Sequence, residues 1–160
     1  MIIGVTNIKG GVGKTTSSLA IATAAQRSGL SVTVVDTDPQ GSATLWAQAA
    51  EDADDPLPFP VVSKNQAEIR RMRERRPDRD GELIVIDTPP NGAVDFVVIP
   101  TLSSPIDLQQ TMLTAAQCQD AGKDYAVLIV MARKGTNALR AFRTAVEEYG
   151  AGIFDTEIPL

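Results

Sequence analysis

The sequence predicts an α/β fold in which a doubly wound, mostly parallel sheet is flanked by helices, so that three layers form. Six apolar runs of strand length stand out, most of them unbroken and rich in Val and Ile. Strands that are buried on both faces of a parallel sheet have this composition. Helical segments separate the runs, and regular alternation of strand and helix is typical of the α/β class. A glycine-rich loop joins the first run to the first helical segment.

The apolar runs are the expected strands, in chain order. They cover Ile2–Asn7, Ser31–Asp36, Phe59–Val62, Glu82–Asp87, Asp95–Pro100 and Tyr125–Ala132. A seventh, weaker run covers Gly152–Ile158. Residues 51–60 are acidic and rich in proline, and we expect them to form a surface loop.

Five helices are expected between the strands. They cover Thr15–Ser28, Ser42–Ala50, a segment from Ser63 to Pro77, Pro105–Ala121 and Asn137–Tyr149. The first ends at Gly29 and the last at Gly150, and glycine is common just after a helix. Ser63 and Gln66 have the spacing of a capping box for the third helix, and Pro105 suits the first turn of the fourth.

The bulk composition fits one domain that covers residues 1–160. Hydrophobic residues make up 43% of the chain and charged residues 22%, as in ordinary globular domains. The chain has no histidine, which excludes histidine-based catalysis, and its single cysteine, Cys118, can form no internal disulfide. A reducing, cytoplasmic location fits. No apolar run reaches about 18 residues, so no transmembrane helix is expected. The net charge of −5 argues against nucleic-acid binding by the whole surface and is compatible with a local basic patch.

The glycine-rich loop has the sequence KGGVGKTT and runs from Lys9 to Thr16. It follows a strand and opens a helix, which is the context of a P-loop. Glycines let the backbone curl so that N–H groups converge on phosphate oxygens, and the helix dipole adds to this field. We expect Lys14 between the β- and γ-phosphates and the Thr15 hydroxyl on magnesium. The expected nucleotide-binding residues of the loop are Gly10, Gly11, Val12, Gly13, Lys14, Thr15 and Thr16.

The loop departs from the common P-loop pattern at its start. Ile8 stands where G-x-x-x-x-G-K-[ST] has its first glycine, and an extra lysine, Lys9, follows. Phosphoryl transfer builds charge on phosphate oxygens, and a positioned cation stabilises it. Since no arginine lies near the loop in sequence, Lys9 is a candidate for this cation. The alternative is a solvated loop lysine.

Acidic residues follow two other expected strands. Asp36 and Asp38 end one strand in VVDTDPQG, and Asp87 ends another in LIVIDTPP. Ligands bind parallel sheets at the carboxyl ends of the strands. A carboxylate there can hold a magnesium-bound water or orient the attacking water, although such an aspartate can also cap a helix or a turn. The predicted metal-site residues are Thr15, Asp36, Asp38 and Asp87.

Four segments together resemble a known family. KGGVGKTT, VVDTDPQGSATLW, LIVIDTPP and VVIPTLSSPIDL occur in the order and approximate spacing of the ParA group of deviant Walker-type partition ATPases. The resemblance covers nearly the whole chain. The DPQG form resembles the partition branch more than the MinD-like membrane regulators. Because the chain begins at its first strand, it is similar to the small forms without an N-terminal helix-turn-helix domain. The resemblance implies a P-loop NTPase that uses ATP and Mg²⁺ and has weak intrinsic hydrolysis.

The resemblance also implies roles for individual residues. Lys9 matches the signature lysine that reaches the partner's phosphates in a nucleotide sandwich dimer. Lys14 and Thr15 match the phosphate lysine and the magnesium ligand. Asp87 matches the Walker B aspartate, which acts on magnesium through water, and Asp38 matches the residue whose loss blocks hydrolysis. The implied catalytic residues are Lys9, Lys14 and Asp38.

Residues late in the chain match regions that contact the base and DNA. The implied base-contacting residues are Met131, Arg133 and Pro159, although many relatives carry an asparagine where this chain has Met131-Ala132. The implied non-specific DNA-binding residues are Arg133, Lys134, Arg140 and Arg143. A second basic cluster, between Arg70 and Arg79, is the alternative DNA site, or a solvated helix face with interleaved acidic residues.

These observations indicate a switch ATPase that forms an ATP-dependent homodimer and partitions or positions a DNA cargo on the bacterial nucleoid. The expected partners are non-specific DNA and a small DNA-binding adaptor protein. A MinD-like membrane ATPase is one alternative, but it needs a C-terminal basic amphipathic helix, and none is visible before Leu160. A nucleotide-binding regulatory module with little turnover is another. An iron–sulfur protein of related fold is disfavoured because one cysteine per chain gives a dimer two ligands of four.

A final expectation concerns the connection after Asp87. The strands that end at Asp87 and begin at Asp95 are both expected to be parallel members of one sheet, and a parallel connection usually takes a dozen or more residues. Only four residues separate Pro90 from Asp95. We therefore expect that a segment near residues 90–95 is missing from the chain, and that helices after Leu160 are missing as well.

Overall fold

The computed structural model describes residues 1–75, 81–87 and 94–159, and within these ranges strands and helices alternate. The strands are β1 (Ile2–Val5), β2 (Ser31–Asp36), β3 (Val61–Ser63), β4 (Glu82–Asp87), β5 (Phe96–Thr101) and β6 (Asp124–Ile129). The helices are α1 (Lys14–Arg27), α2 (Ser42–Asp52), α3 (Gln66–Arg75), α4 (Pro105–Asp120) and α5 (Asn137–Glu148). None of these helices is both long enough and apolar enough to cross a membrane.

The six strands form one sheet in the order β3-β2-β4-β1-β5-β6, and every pairing is parallel. In the register of the central strands, Asp87 lies opposite Val5 on one side and Asp36 on the other. The carboxyl ends of β1, β2 and β4 therefore meet at one edge of the sheet. This confirms the predicted fold class and brings the predicted acidic residues to the end of β1, where the glycine-rich loop starts.

Both faces of the sheet are covered, which gives three layers. Alternate strand residues face opposite ways, so Val34 packs in a core with residues of α1 and α2, while Val35 packs with residues of α3 and α4. A third cluster joins β6 to α5 through Val127 and Phe142. Burial on both faces explains the unbroken apolar runs of the sequence.

The capping box of α3 lies two residues after the predicted one. The backbone N–H of Glu68 donates to Asn65 Oδ1 (3.0 Å), and the N–H of Asn65 donates to Glu68 Oε2 (2.9 Å). The prediction of Ser63 and Gln66 was wrong because Ser63 is still the last residue of β3. Asparagine is as good an N-cap as serine, so the reciprocal pair forms at the later site.

Two weaker expectations are also corrected. The segment Gly152–Ile158 is not a strand, since it makes only isolated parallel bridges, Val127 with Ile153 and, just beyond its end, Ala132 with Pro159. Residues 51–60 are not all surface loop: the first two end α2, and the side chain of Phe59 is buried in the core beside α1 and α2.

The connection between β4 and β5 falls on residues 88–93, which lie outside the described part of the chain, so the expected missing segment stays a prediction. Both flanking strands are parallel to β1, as expected. Asp87 pairs with Val5 and Phe96 with Ile3, so along the strand direction the first residue of β5 lies only about two residues, roughly 7 Å, before the level of Asp87. This offset between the end of β4 and the start of β5 does not by itself require more residues than the sequence has between the two strands.

Candidate nucleotide-binding site

The glycine-rich loop follows β1 and leads into α1. Gly11 and Gly13 have φ angles of 73° and 72°, in the left-handed region that favours glycine. Gly13 is the N-cap of α1 and makes no side-chain capping bond, so the first N–H groups of the helix face the loop. The side chain of Val12 is fully buried and anchors the loop between its glycines. This is the backbone arrangement that binds phosphate oxygens.

A buried polar network ties the start of the loop to β5 and α4. Asn7 is 4% exposed, and its Nδ2 donates to the carbonyl of Pro100 (2.9 Å). Asn7 Oδ1 accepts from the backbone N–H of Lys9 (2.9 Å), and the N–H of Ile8 donates to Thr114 Oγ1 (3.2 Å). The loop is therefore held at its first residues before any ligand binds. The sequence analysis missed Asn7, whose role depends on contacts with residues more than 90 positions away.

Both lysines of the loop are engaged by protein groups. Lys14 Nζ donates to the carbonyl oxygen of Lys9 at 3.0 Å. Lys9 Nζ forms an ion pair with Asp107, in the first turn of α4, and the other oxygen of Asp107 accepts from Ser104 Oγ. The ammonium group of Lys14 therefore lies within the curve of the loop. Lys9 is not a free, solvated lysine, which weakens that alternative.

Asp87 is the buried acid at the end of β4. Ser18 Oγ donates to its Oδ1 (3.0 Å), and the Thr15 hydroxyl lies close enough to affect its ionisation. Burial raises the pKa of Asp87, with smaller contributions from the charges of Asp36 and Asp38, while the two hydroxyl contacts lower it. Its Oδ2 is buried and has no hydrogen-bond partner among the described residues.

The unpartnered oxygen of Asp87 fits a magnesium site. Magnesium keeps several of its waters and takes one or two carboxylates together with substrate phosphates. Thr15 and Asp87 supply a hydroxyl and a carboxylate beside the phosphate loop, and a metal-bound water would satisfy Oδ2. Among the described residues no three His, Cys, Asp or Glu side chains are grouped to hold a metal ion, so Asp36, Asp38 and Asp87 do not form the predicted cluster of ligands.

Asp36 and Asp38 have different surroundings. Asp36 is 1% exposed, and both of its carboxylate oxygens accept hydrogen bonds. Its Oδ2 accepts from the backbone N–H and the Oγ1 of Thr44, each at 2.9 Å, and its Oδ1 accepts from the N–H of Asp38. These contacts fix the loop that leads into α2, so they support a structural role for Asp36 more than a metal-ligating one. Asp38 is half-buried, and its Oδ1 accepts from the N–H of Gln40 (2.9 Å).

Replacing Asp87 by asparagine is expected to stabilise the nucleotide-free protein by about 1 kcal/mol at neutral pH, because a buried charge is removed. The folded-state pKa lies above the ordinary 3.8, so the folded state binds the proton more tightly. Wild-type stability therefore falls as pH rises from 3.8 through the raised pKa. The stability difference between Asp87→Asn and wild type should widen over that window and then stay constant.

Urea unfolding at a series of pH values measures this difference. Adding ATP and magnesium should reverse the order, since wild type gains binding energy that the variant loses. A variant that is less stable than wild type at every pH would contradict the argument.

The predicted base-contacting residues lie at the carboxyl end of β6. Met131 has a φ angle of 50°, unusual for a residue other than glycine, and its side chain is 48% exposed. The bridge between Ala132 and Pro159 brings Pro159 beside this segment, and Arg133 follows it. The side chain of Val130, the residue between β6 and Met131, lies beside the backbone of Gly13 in the glycine-rich loop. The structure thus brings Met131, Arg133 and Pro159 together at the edge that carries the glycine-rich loop.

The predicted DNA-binding residues separate into two groups. Arg133, Lys134 and Arg140 are exposed, and Arg140 contacts Asn137. Arg143 is half-buried: its Nε pairs with Glu157 Oε1 (2.8 Å), and its Nη2 donates to the carbonyls of Phe154 and Asp155. Arg143 thus holds residues 154–157 against α5, and its predicted contact with DNA stays a prediction.

The alternative basic cluster is only partly described. Arg70 and Arg71 are exposed on α3, whereas Arg73 pairs with Asp95 (3.3 Å) and donates to the carbonyl of Val94. Arg76 and Arg79 lie outside the described residues. Arg70 and Arg71, which are exposed and do not contact Asp95, are therefore suited to comparison with the α5 group.

Three contacts of the site were missed by the sequence analysis: Ser18 on Asp87, Asp107 on Lys9 and Ser104 on Asp107. Ser104 and Asp107 have the S-x-x-D spacing of an N-terminal helix cap, and the N–H of Asp107 does donate to Ser104 Oγ. That spacing was a signal in the sequence. No pattern in the sequence indicated the ion pair between Lys9 and Asp107, because 98 positions separate the two residues.

Comparisons with known proteins agree with this geometry. Residues 3–160 match the model of the CobQ/CobB/MinD/ParA nucleotide binding domain family. The chain is 30% identical to Maintenance of carboxysome distribution protein A of Halothiobacillus neapolitanus, over 98% of this chain and 78% of that protein. It is 34% identical to the protein of the same name from Gloeobacter kilaueensis, over 98% and 76%.

Among solved structures, the fold is similar to that of cobyrinic acid a,c-diamide synthase from Mycobacterium smegmatis with bound ADP and magnesium. The TM-score is 0.70 at 22% identity, over 99% of this chain and 86% of that one. At this level of identity the likeness shows a shared fold.

Proposed function

Because the chain belongs to the family of CobQ/CobB/MinD/ParA nucleotide-binding domains, we propose that it is an ATP hydrolase that dimerises with ATP and positions a cargo on DNA. The observation that carries the nucleotide chemistry is the unpartnered buried oxygen of Asp87 next to Thr15, at the mouth of the glycine-rich loop. A buried carboxylate without a partner is costly unless a ligand completes its contacts. ATP with Mg²⁺ is the ligand whose chemistry fits.

Each residue of the site has a task in this proposal. The N–H groups of the loop and of the first turn of α1 bind the phosphates, and Lys14 leaves the Lys9 carbonyl to contact them directly. Magnesium, when bound, neutralises charge between the β- and γ-phosphates. Thr15 and Asp87 would hold it, and Asp38 orients the attacking water. Lys9 acts on the phosphates bound by the second subunit, where it stabilises the developing charge.

Hydrolysis in this arrangement depends on dimerisation, since the cation needed at the phosphates comes from the partner. The exposed cations of the α5 region, Arg133, Lys134 and Arg140, are the proposed DNA contacts. Dimerisation doubles the number of phosphate contacts, and non-specific affinity depends steeply on that number. ATP binding would therefore load the protein onto the nucleoid, and hydrolysis, stimulated by a small DNA-binding adaptor, would release it.

Two classes of cargo are proposed. A plasmid or chromosome is the cargo that the partition motifs suggest. The names of the two relatives from Halothiobacillus and Gloeobacter favour a second class, a large protein body that must be distributed along the cell. The chemistry at the nucleotide site is the same for both classes, and the adaptor would differ.

Light scattering and phosphate release test the proposal together. The protein should be monomeric without nucleotide, dimeric with ATP and magnesium, and faster in hydrolysis when DNA is added. Lys9→Ala should bind ATP and remain monomeric. ATP binding without dimerisation or turnover in the wild type would instead indicate a regulatory module. ATP-dependent sedimentation with anionic liposomes but not with DNA would indicate a membrane-associated ATPase of the MinD kind.

Replacing Arg133, Lys134 and Arg140 together by glutamine is expected to weaken DNA binding equally for all sequences. The slope of log affinity against log salt should become shallower by about 0.9 for every phosphate that the protein no longer neutralises. Fluorescence anisotropy of labelled DNA at several salt concentrations, with ATP and magnesium present, measures both effects.

The matched control replaces Arg70 and Arg71, two exposed arginines of α3, by glutamine, and should leave the slope unchanged. Arg143 is kept in both variants because it contacts Glu157. If the control loses DNA binding and the α5 variant retains it, the DNA site is on α3.

A further inference from the structure

The Lys9–Asp107 ion pair joins the glycine-rich loop to the first turn of α4 within one subunit. Asp107 is 2% exposed, and the Lys9 side chain is 31% exposed. The second oxygen of Asp107 accepts from Ser104 Oγ, so both oxygens of this buried carboxylate have donors from its own chain. A buried carboxylate that loses its cation is strongly destabilised. Withdrawing Lys9 therefore has a cost that any competing partner of Lys9 must offset.

The backbone of Lys9 is held on both sides. Its N–H donates to Asn7 Oδ1 (2.9 Å), and its carbonyl accepts from Lys14 Nζ (3.0 Å). The second of these bonds depends on the state of the nucleotide site, because phosphates bound in the loop compete for Lys14. Loading a subunit with nucleotide thus removes one of the two bonds that fix its own Lys9.

The approach of a second subunit adds a further effect. The phosphates of the partner carry negative charge toward the ammonium of Lys9, and hence toward the buried carboxylate of Asp107. The phosphates and the Asp107 carboxylate carry like charges and repel each other in a poorly solvated site. Lys9 therefore cannot keep its ion pair with Asp107 and also bind the partner's phosphates with full affinity.

We propose that Asp107 is a positioning residue that holds Lys9 within its own subunit, so that breaking the Lys9–Asp107 pair sets the protein concentration at which the nucleotide-bound dimer forms. This inference rests on the proposed function, and it adds the group that opposes dimerisation. The order of events follows from the contacts. Nucleotide first draws Lys14 from the Lys9 carbonyl, and Lys9 then exchanges Asp107 for the phosphates of the partner.

The test compares Asp107→Asn with wild type in magnesium and a non-hydrolysable ATP analogue, by sedimentation across a range of protein concentrations. Asparagine keeps an acceptor for Ser104 and removes the charge. The concentration for half-dimerisation should fall about tenfold or more, because the two ion pairs of the dimer, one in each subunit, no longer have to be broken. The affinity of dilute, monomeric protein for a fluorescent ATP analogue should not change, whereas general damage to the fold would lower it.

Two further variants separate the ion pair from other effects. Ser104→Ala removes the capping contact and keeps the pair, so its dimerisation should match wild type. Lys9→Ala combined with Asp107→Asn should not dimerise, because the lysine is still required. If Asp107→Asn unfolds, Asp107→Ser is used, since it also removes the charge and leaves Ser104 as the N-cap of α4.

The outcomes distinguish this inference from the function on which it rests. A half-dimerisation concentration for Asp107→Asn equal to or above that of wild type overturns the role of Asp107 and leaves the ATPase switch intact. A wild type that binds the analogue and stays monomeric at every concentration overturns both.

Discussion

ATP affinity is expected to fall by about 10²-fold or more when Lys14 is replaced by alanine. Lys14 is the ammonium group that lies inside the loop, 3.0 Å from the Lys9 carbonyl. Charge-assisted hydrogen bonds are worth about 1.5–3 kcal/mol each, and the lysine is expected to contact two phosphates. Alanine removes these bonds and leaves the loop backbone as the remaining phosphate ligand.

Isothermal titration with ATP and magnesium measures the loss. Lys64→Ala is the matched control, because Lys64 is also a partly exposed lysine and its only ion pair among the described residues, with Glu68 on α3, is a 4.0 Å contact. Replacing Lys64 should leave the ATP affinity unchanged. The P-loop assignment fails if Lys14→Ala titrates like wild type.

ATP turnover is expected to fall by about 10²-fold or more in Asp38→Ala, while ATP binding and dimerisation persist. Asp38 follows the end of β2 at the edge that carries the phosphate loop. Its Oδ1 accepts from Gln40, and within the described ranges its Oδ2 makes no hydrogen bond, so this oxygen is available to orient a water. Losing a group that positions and activates the nucleophile costs a factor of this order.

Phosphate release under saturating ATP, together with light scattering, measures the two properties separately. Asp36→Ala is the contrasting variant. It should lower the thermal stability of the protein, because the N–H groups of Thr44 and Asp38 lose their acceptor. Wild-type turnover by Asp38→Ala would show that another group orients the water.

Much of the fold followed from local patterns in the sequence. The bounds of β2 and β4 match the prediction because both strands lie in the middle of the sheet and are apolar on both faces. The glycine-rich loop was recognisable because its backbone requires glycine at Gly11 and Gly13. The capping box of α3 was misplaced because Ser63 and Asn65 are both good N-caps, and pairing with β2 decides that Ser63 belongs to a strand.

The site was predicted less completely, and the reason is physical. Parallel strands place their ends together, so the convergence of Asp36 and Asp87 on the loop could be inferred from strand order alone. Which partner a side chain takes depends on the folded chain. The partner of Lys9, Asp107, lies 98 positions away, whereas Asp36 bonds to Thr44 and Arg143 to Glu157 through turns that the sequence pattern does not fix. Asp36 was assigned to the metal by its position at a strand end and Arg143 to DNA by resemblance, and neither argument could show the contacts that both residues make within the chain.

The position of β1 in the sheet bears on how the chain folds as it is synthesised. β1 is made first, yet its neighbours are β4 and β5, whose residues follow it by about 80 to 95 positions. Contacts so distant in sequence form late, since the intervening chain must first be ordered. A ribosome must therefore release the chain as far as β4 before the first strand has either neighbour. The glycine-rich loop directly follows β1, so nucleotide can stabilise the chain only in the last stage of folding. A chain whose synthesis stops before β5 should bind no nucleotide.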